Sequence, residues 1–356
     1  VVPSETNTCA GTDVLAANTT GVYNSGFGYS ALFSNTEGSL NTASGAWALY
    51  RNTTGESNTA HGFDALFNNT SGHSNIASGG WSLFNNTTGH SNAASGVEAL
   101  YYSTTGNYNT AIGYRALVGN TTGDYNTASG YHALANNFTG NRNTADGAFS
   151  LINATSSRNV ALGYLAGNAI TTGGDNIVIG AGQKGNAADS GVIRIGSKTY
   201  QTRAFIAGIR GVTTGRANAV PVVIDANGQL GTISSSQHVK EDIQPMGSVS
   251  ERLLELRPVT FRYRQPDDSG GKPMQFGLVA EEVAQVFPEL VVYGEDGEPE
   301  TVSYHLLATL LLNEFQKERA TSQSRALELA ELKEQMAAMT AAVERLEHAS
   351  PVAAIE

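Results

Sequence analysis

Residues 52–68 read NTTGESNTAHGFDALFN and residues 69–85 read NTSGHSNIASGGWSLFN, two successive words of 17 letters that align without a gap. Outward from this pair the same step sets glycine at Gly21, Gly38, Gly55, Gly72, Gly89, Gly106, Gly123 and Gly140. Parallel columns hold asparagine from Asn24 to Asn143, a second glycine from Gly28 to Gly147, and leucine from Leu32 to Leu151. The common unit is NTTGxxNTAxGxxALxx. A unit this short cannot fold alone, so the columns must stack coil on coil as a solenoid. The Thr-rich run from Asn to the second Gly alternates with period two and predicts one short strand per coil. The segment xxALxx predicts about one helical turn, and NTTG a turn with its glycine at positive φ. Proline is absent between Pro3 and Pro221, as expected where every rung donates its N–H to a neighbour. Each coil offers one Leu and one or two Ala, a poor core for a single chain, so several chains are expected to share the burial. Which strand face points inward stays open.

The chain has 356 residues, 40 of them glycine, and a net charge of −11. Residues 235–356 hold 11 Lys+Arg and 21 Asp+Glu, against 10 and 11 in residues 1–234, so two unlike regions meet near residue 235. An acidic chain without a basic cluster has no footprint for nucleic acid. The longest apolar run, around Leu306 to Leu312, is far below the ~18 residues of a membrane-spanning helix. Cys9 is alone, which excludes a disulfide framework within the chain and a cysteine metal site. Nothing in the residues calls for a metal or cofactor. GAGQKG at Gly180 to Gly185 matches a dinucleotide fingerprint in letters only; no amphipathic helix or distal acid follows, so it is expected to be a turn. The aromatic column Phe33, Tyr50, Phe67, Phe84 and Tyr101 is expected to be a packed ladder. The sequons at Asn52 and Asn86 are by-products of NTTG, and His61, His73 and His90 lack ligand spacing. The carboxylates Glu37, Glu56, Asp64, Glu98, Asp124 and Asp146 fall in no column that would pair an acid with a base, which argues against a glycan-degrading enzyme.

RNVALG at 158–163 and DNIVIG at 175–180 resemble the strands of trimeric autotransporter adhesin heads, β-rolls in which three chains pack side by side. That resemblance implies a homotrimer. After Gly196 the text changes to TRAFIAGIRGVTT and AVPVVIDANGQLGTISSS, short strands with a hairpin signal at Asn227 and Gly228.

Beyond Ser234, five motifs stand in order: Ser235 with Lys240 and Ile243, PVTFRY at Pro258, FGLVAEEV at Phe276, FPELV at Phe287 and VSYHLLATLLLNEFQ at Val302. Over about 228–320 the chain resembles the intramolecular chaperone auto-processing domain at the C-termini of phage endosialidases and tailspikes. The family opens with Ser then Asp and has Arg three residues after the Ser; Ser236 and His238 stand in those places. The resemblance implies a self-cleaving Ser-Lys peptidase that acts once: Ser235 attacks the carbonyl of Ser234, Lys240 accepts the proton, and residues 235–356 are freed. A serine needs such a base, and a lysine becomes one only when burial or nearby positive charge lowers its pKa. ERLLELRPVTFRYR reads as helix-like, VVYGEDGEPETVSY as a hairpin, and a helix is expected from near His305. Leu329, Leu332, Met336, Met339, Val343 and Leu346 step by 3 and 4 along it, a coiled-coil seam.

The expected architecture is mainly β: a solenoid or β-roll fibre of 17-residue coils in a trimer, then a small α+β chaperone domain and a helical coiled coil. Its parts are an N-terminal segment (1–17), the repeat head (18–182), a β neck (183–234), the chaperone domain (235–320) and the coiled-coil helix and tail (321–356). The expected function is a homotrimeric fibre or adhesin, in a virion tail or at a cell surface, that meets a surface glycan or protein receptor. A glycan-degrading tailspike and a passive spacer are the alternatives.

Overall fold

The computed structural model describes residues 6–197, 199–207, 209–210, 218–225, 228–294 and 296–349. They fall into two units, Val1–Arg210 and Gly211–Glu356.

The first unit is a β-solenoid of twelve three-residue parallel strands in chain order, from β1 (Thr8–Ala10) to β12 (Ile193–Ile195). The sheet therefore runs past both ends of the 18–182 repeat range. Register follows the 17-residue step, with Thr42 opposite Thr59, Ala43 opposite Ala60 and Ser44 opposite His61. The middle residue of each trio faces in: Ala43, Ala60, Ala77, Ala94, Ala111 and Ala128 are fully buried. The flanking Thr and Ser face out, as do Val160, Leu162 and Ile177 in the last coils. The buried leucine column packs against these alanines.

The corners differ from the expected helical turn. In one coil Ser57, Asp64 and Leu66 all have left-handed φ, at 56°, 54° and 54°. Each such residue costs about 1–2 kcal/mol, but its N–H is tied to an adjoining coil. Ser57 donates to Ser39 O, Asp64 to Ala46 O and Leu66 to Ser82 O, each at 3.0 Å. Ser57 and Asp64 thus bond to the coil before and Leu66 to the coil after, and stacking offsets a strain that an isolated coil could not carry.

The two glycine columns serve different ends. Gly62 has φ 136°, and a Cβ there would stand 2.7 Å from Gly79 O. Gly55, the NTTG glycine, has no positive φ, contrary to the turn expected of it. A Cβ on Gly55 would stand 2.4 Å from Asn52 Oδ1 and 2.4 Å from Gly72 O. Crowding by a buried amide excludes a side chain there.

That amide belongs to a polar spine inside the coil. In the first column, Asn41 N–H donates to Asn24 Oδ1 (2.9 Å) and Asn41 Nδ2 to Gly55 O (2.8 Å). In the second, Asn52 Nδ2 donates to Asn35 Oδ1 (2.6 Å) and to the same Gly55 O (2.9 Å). Both columns are buried. The core is thus as poor in aliphatic carbon as its composition implies, and hydrogen-bonded asparagine fills the remainder. Asn52 and Asn86 are inaccessible to glycosylation in the folded coil. In the coil that opens at Val160, Gly167 takes the leucine place, where a Cβ would stand 2.8 Å from Leu151 Cδ2. Buried Ile170 supplies the missing bulk.

The second ladder breaks at Ser103. Its hydroxyl is too short to continue the chain, and Ser103 Oγ and Asn86 Oδ1 are both buried without a hydrogen-bond partner. An unsatisfied buried group costs about 1–3 kcal/mol. Ser103→Asn is therefore expected to raise thermal stability; an unchanged or lower melting temperature would show that the gap is already satisfied.

The second unit begins with a hairpin, β13 (Val223–Ile224) against β14 (Leu230–Gly231). Asp225 closes it, its carboxylate accepting from Gln229 N–H at 2.9 Å; Asn227 of the expected signal lies outside the described residues. ERLLELRPVTFRYR departs from its helix-like pattern. Val249–Glu255 is a 3-10 helix, and Pro258, which bars helix before it, leads into β15 (Val259–Phe261), paired with β16 (Gln275–Gly277). Helix α1 (Ala280–Val286), the hairpin β17 (Val291–Tyr293) and β18 (Pro299–Val302), and helix α2 (Tyr304–Ala349) follow. The buried core is small: Val283, Phe287, Leu290, Val302 and Leu310.

Candidate functional site

Ser235 and Lys240 bracket one 3-10 turn, Gln237–Val239. Ser236 caps its start, the hydroxyl accepting from His238 N–H at 3.3 Å, and Lys240 caps its end by donating its N–H to Gln237 O at 3.3 Å. The cap role explains how Ser can stand where the resembled family has Asp, since both are good N-caps. Sequence reasoning missed this role, although a short polar residue before a turn is its usual signal. Ser235 and Lys240 are both exposed. Among the described residues neither the Ser235 hydroxyl nor the Lys240 ammonium has a hydrogen-bond partner. The turn brings the pair to its two ends; it does not bury the lysine.

Further along the chain a polar clamp holds α2 to the 3-10 helix Val249–Glu255. Buried Ser250 donates to Glu314 Oε1 at 2.5 Å and accepts from Asn313 Nδ2 at 2.6 Å. Lys317 Nζ then bridges Glu314 (2.9 Å) and Glu251 (3.0 Å). The Ser250 hydrogen bond, with Lys317 beside it, holds the Glu314 carboxyl below its ordinary range. A carboxylate with a depressed folded pKa stabilises above its unfolded value and loses that contribution as pH falls through the folded one. Amide protection of residues 247–256 is thus expected to fall on acidification below the ordinary carboxylate range. In Glu314→Gln the acid step should shrink to what Glu289 contributes through Arg252; an unchanged step would place the titrating group elsewhere.

Arg252 lies over the Phe287 ring at 4.0 Å and pairs with Glu289, and Arg257 pairs with Glu282. These partners keep Glu289 and Glu282 low in pKa. An open groove of about 520 Å³ runs beside them, lined by Leu253, Leu256, Phe276, Leu278, Leu307 and Leu311. The heptad positions Leu329, Leu332, Met336, Met339, Val343 and Leu346 are all exposed.

On the solenoid the column Phe33, Tyr50, Phe67, Phe84 and Tyr101 is a continuous stack, with centroids 5.0–5.3 Å apart and planes within 14°. Each ring face is covered by the next, so the ladder offers no platform of its own. His73 and His90 stack on one another at 4.7 Å, and among the described residues no His, Cys, Asp or Glu group is placed to hold a metal. Two pairs of carboxylates share a column: Glu56 and Asp124 four coils apart, and, nearer, Asp64 and Glu98 two coils apart with Trp81 between. Coil spacing separates the nearer pair by about 10 Å, beyond the ~6.5–9.5 Å of an inverting pair. Each is also engaged, Asp64 accepting from Trp81 Nε1 (3.2 Å) and Glu98 bound to Arg115 Nε (2.6 Å). Burial raises the Asp64 pKa.

Residues 235–292 match the family described as chaperone of endosialidase, and the match opens on Ser235. The chain therefore carries a C-terminal chaperone domain behind a repetitive β-roll. No curated protein and no solved structure matches it. Among the described residues no helix is long and apolar enough to cross a membrane.

Proposed function

From a chaperone-of-endosialidase domain that follows a β-roll, we propose a homotrimeric fibre or adhesin head whose C-terminal domain registers three chains and then cuts itself away. The observation that carries this reading is the mismatch between apolar surface and core in the C-terminal unit. Its fully buried core is five side chains, with the groove residues Leu253, Leu256, Leu278 and Leu307 only half-buried against it, while Phe276, Leu311 and all six heptad positions are exposed. Exposed apolar area of this extent marks an interaction surface, and a short 3-4 seam suits parallel helices. The outward strand residues Leu162, Ile177, Ile193 and Ile195 support side-by-side packing of the last coils.

Cleavage follows assembly in this scheme, because Lys240 gains the burial that makes it a base only from further chains. The Ser235 hydroxyl attacks the Ser234 carbonyl carbon and passes its proton to the neutral Lys240 amine. The C–N bond breaks as that proton reaches the leaving nitrogen. An ester then links the Ser234 carbonyl to Ser235 Oγ until water hydrolyses it, leaving a free amine on Ser235. Once the module that lowered the assembly barrier is gone, the trimer is kinetically trapped. The released head meets a surface glycan or protein receptor, from a virion tail or a cell surface. Light scattering on full-length Ser235→Ala should return three chain masses; one chain mass would overturn the trimer.

A further inference from the structure

Along one corner of the solenoid runs a groove of about 760 Å³. One wall is the column Arg51, Asn68, Asn85, Tyr102 and Gly119; the other is a threonine column that ends in Phe138. The repeat is otherwise so regular that its departures are informative. Tyr102 and Gly119 interrupt the polar column, Phe138 interrupts the threonines, and the three departures meet in one place. The two rings are 53% and 51% exposed, and between them lies a position with no side chain. The Phe138 ring reaches over that position, its Cε1 3.4 Å from where a Gly119 Cβ would stand, and Tyr102 packs edge-on against Tyr101 at 4.7 Å, so both rings are held in place with half their surface open to the groove.

The polar groups complement hydroxyls. Thr70, Thr87 and Thr104 each donate to a carbonyl of the next coil at 3.0–3.1 Å, which leaves their oxygens free to accept. Asn68 Nδ2 donates to Asn85 Oδ1 (3.2 Å) and Asn85 Nδ2 to Tyr101 O (3.1 Å), each amide keeping a second N–H. The Arg51 guanidinium lies over Phe67 at 5.5 Å, and among the described residues it has no carboxylate partner. No carboxylate lines the groove. Aliphatic side chains are missing from its lining, whereas Leu162, Ile177, Ile193 and Ile195 stand outward on the strands of the last coils, so a second copy of the chain is the poorer occupant of the groove.

We propose that this groove binds an oligosaccharide laid along the stacking axis, with pyranose faces on Tyr102 and Phe138 and an acidic substituent toward Arg51. The proposal rests on the solenoid being the receptor-binding head. It does not require the trimer, because one chain supplies every lining group. The test is retention of the folded protein, uncut as Ser235→Ala or cut as wild type, on an array of purified neutral and uronic- or sialic-acid-bearing bacterial polysaccharides, with oligomeric state measured separately by light scattering. Tyr102→Asn and Phe138→Thr install residues that neighbouring coils carry at the same places, so the coils should still fold. Each is expected to weaken binding at least tenfold, and Arg51→Ala to weaken acidic polysaccharides more than neutral ones. Tyr23→Ala, at an exposed ring outside the groove, should change nothing. Failure of the folded wild type to bind any polysaccharide would overturn the proposal, as would unchanged binding by both groove variants. Loss of the oligomer in Tyr102→Asn would make the groove an interchain contact and overturn it as well.

Discussion

Gly79→Val, in the middle of the solenoid, is expected to abolish soluble protein. Gly79 has φ 135°, and a Cβ would stand 2.6 Å from the carbonyl of Gly96 in the next coil. The backbone cannot relax there without breaking the Gly79 N–H bond to His61 O (2.8 Å) behind it. Strain and lost hydrogen bonds together place the cost above about 4 kcal/mol. In a stack where each coil templates its neighbour, a broken middle coil divides the array. Leu83→Asp buries a charge in the leucine column with the same expected result. Glu98→Gln, by contrast, removes a half-exposed pair with Arg115 worth at most about 1 kcal/mol. Soluble, cooperatively melting Gly79→Val would show that coils stack with more play than the contact allows.

For the candidate dyad, Ser235→Ala should leave a full-length chain that still assembles, because registering three chains relies on packing and not on the cut. Lys240→Ala should slow cleavage by about 10²–10⁴, the usual contribution of a positioned base. Lys240→Arg is the sharper variant: it keeps the charge and much of the bulk but cannot give up its proton. Cleavage by Lys240→Arg at the wild-type rate, followed on gels after refolding, would remove the lysine from the chemistry.

Much of this fold was legible in the letters, and what was not has physical causes. The period, the strand in each coil, the hairpin at 291–302 and the final helix all follow from spacing and alternation. The corners do not, because left-handed φ is ordinarily read from Gly or Asn, and here Asp64, Leu66 and Ser57 adopt it under the constraint of neighbouring coils. The inward strand face could not be read from TAH or TAS, since Thr, Ala and Ser are all small enough for either side. The second amide ladder was visible as the Asn of NTTG, yet its letters also spell a sequon, and only burial separates the two. Val249–Glu255 carries apolar letters at helical spacing but stops short at Pro258. As for the site, Ser235 and Lys240 stand out only through the motifs around them. In the fold they stand exposed at the two ends of one 3-10 turn, a placement that five-residue spacing alone does not announce.

If folding in register triggers a cut before Ser235, the intact mass of freshly folded wild-type protein records it. Two species are predicted, a head ending at Ser234 and a fragment beginning at Ser235, with full-length chain confined to material that has not yet assembled. A single full-length mass, persisting for days in a protein that light scattering shows to be a trimer, would contradict the account.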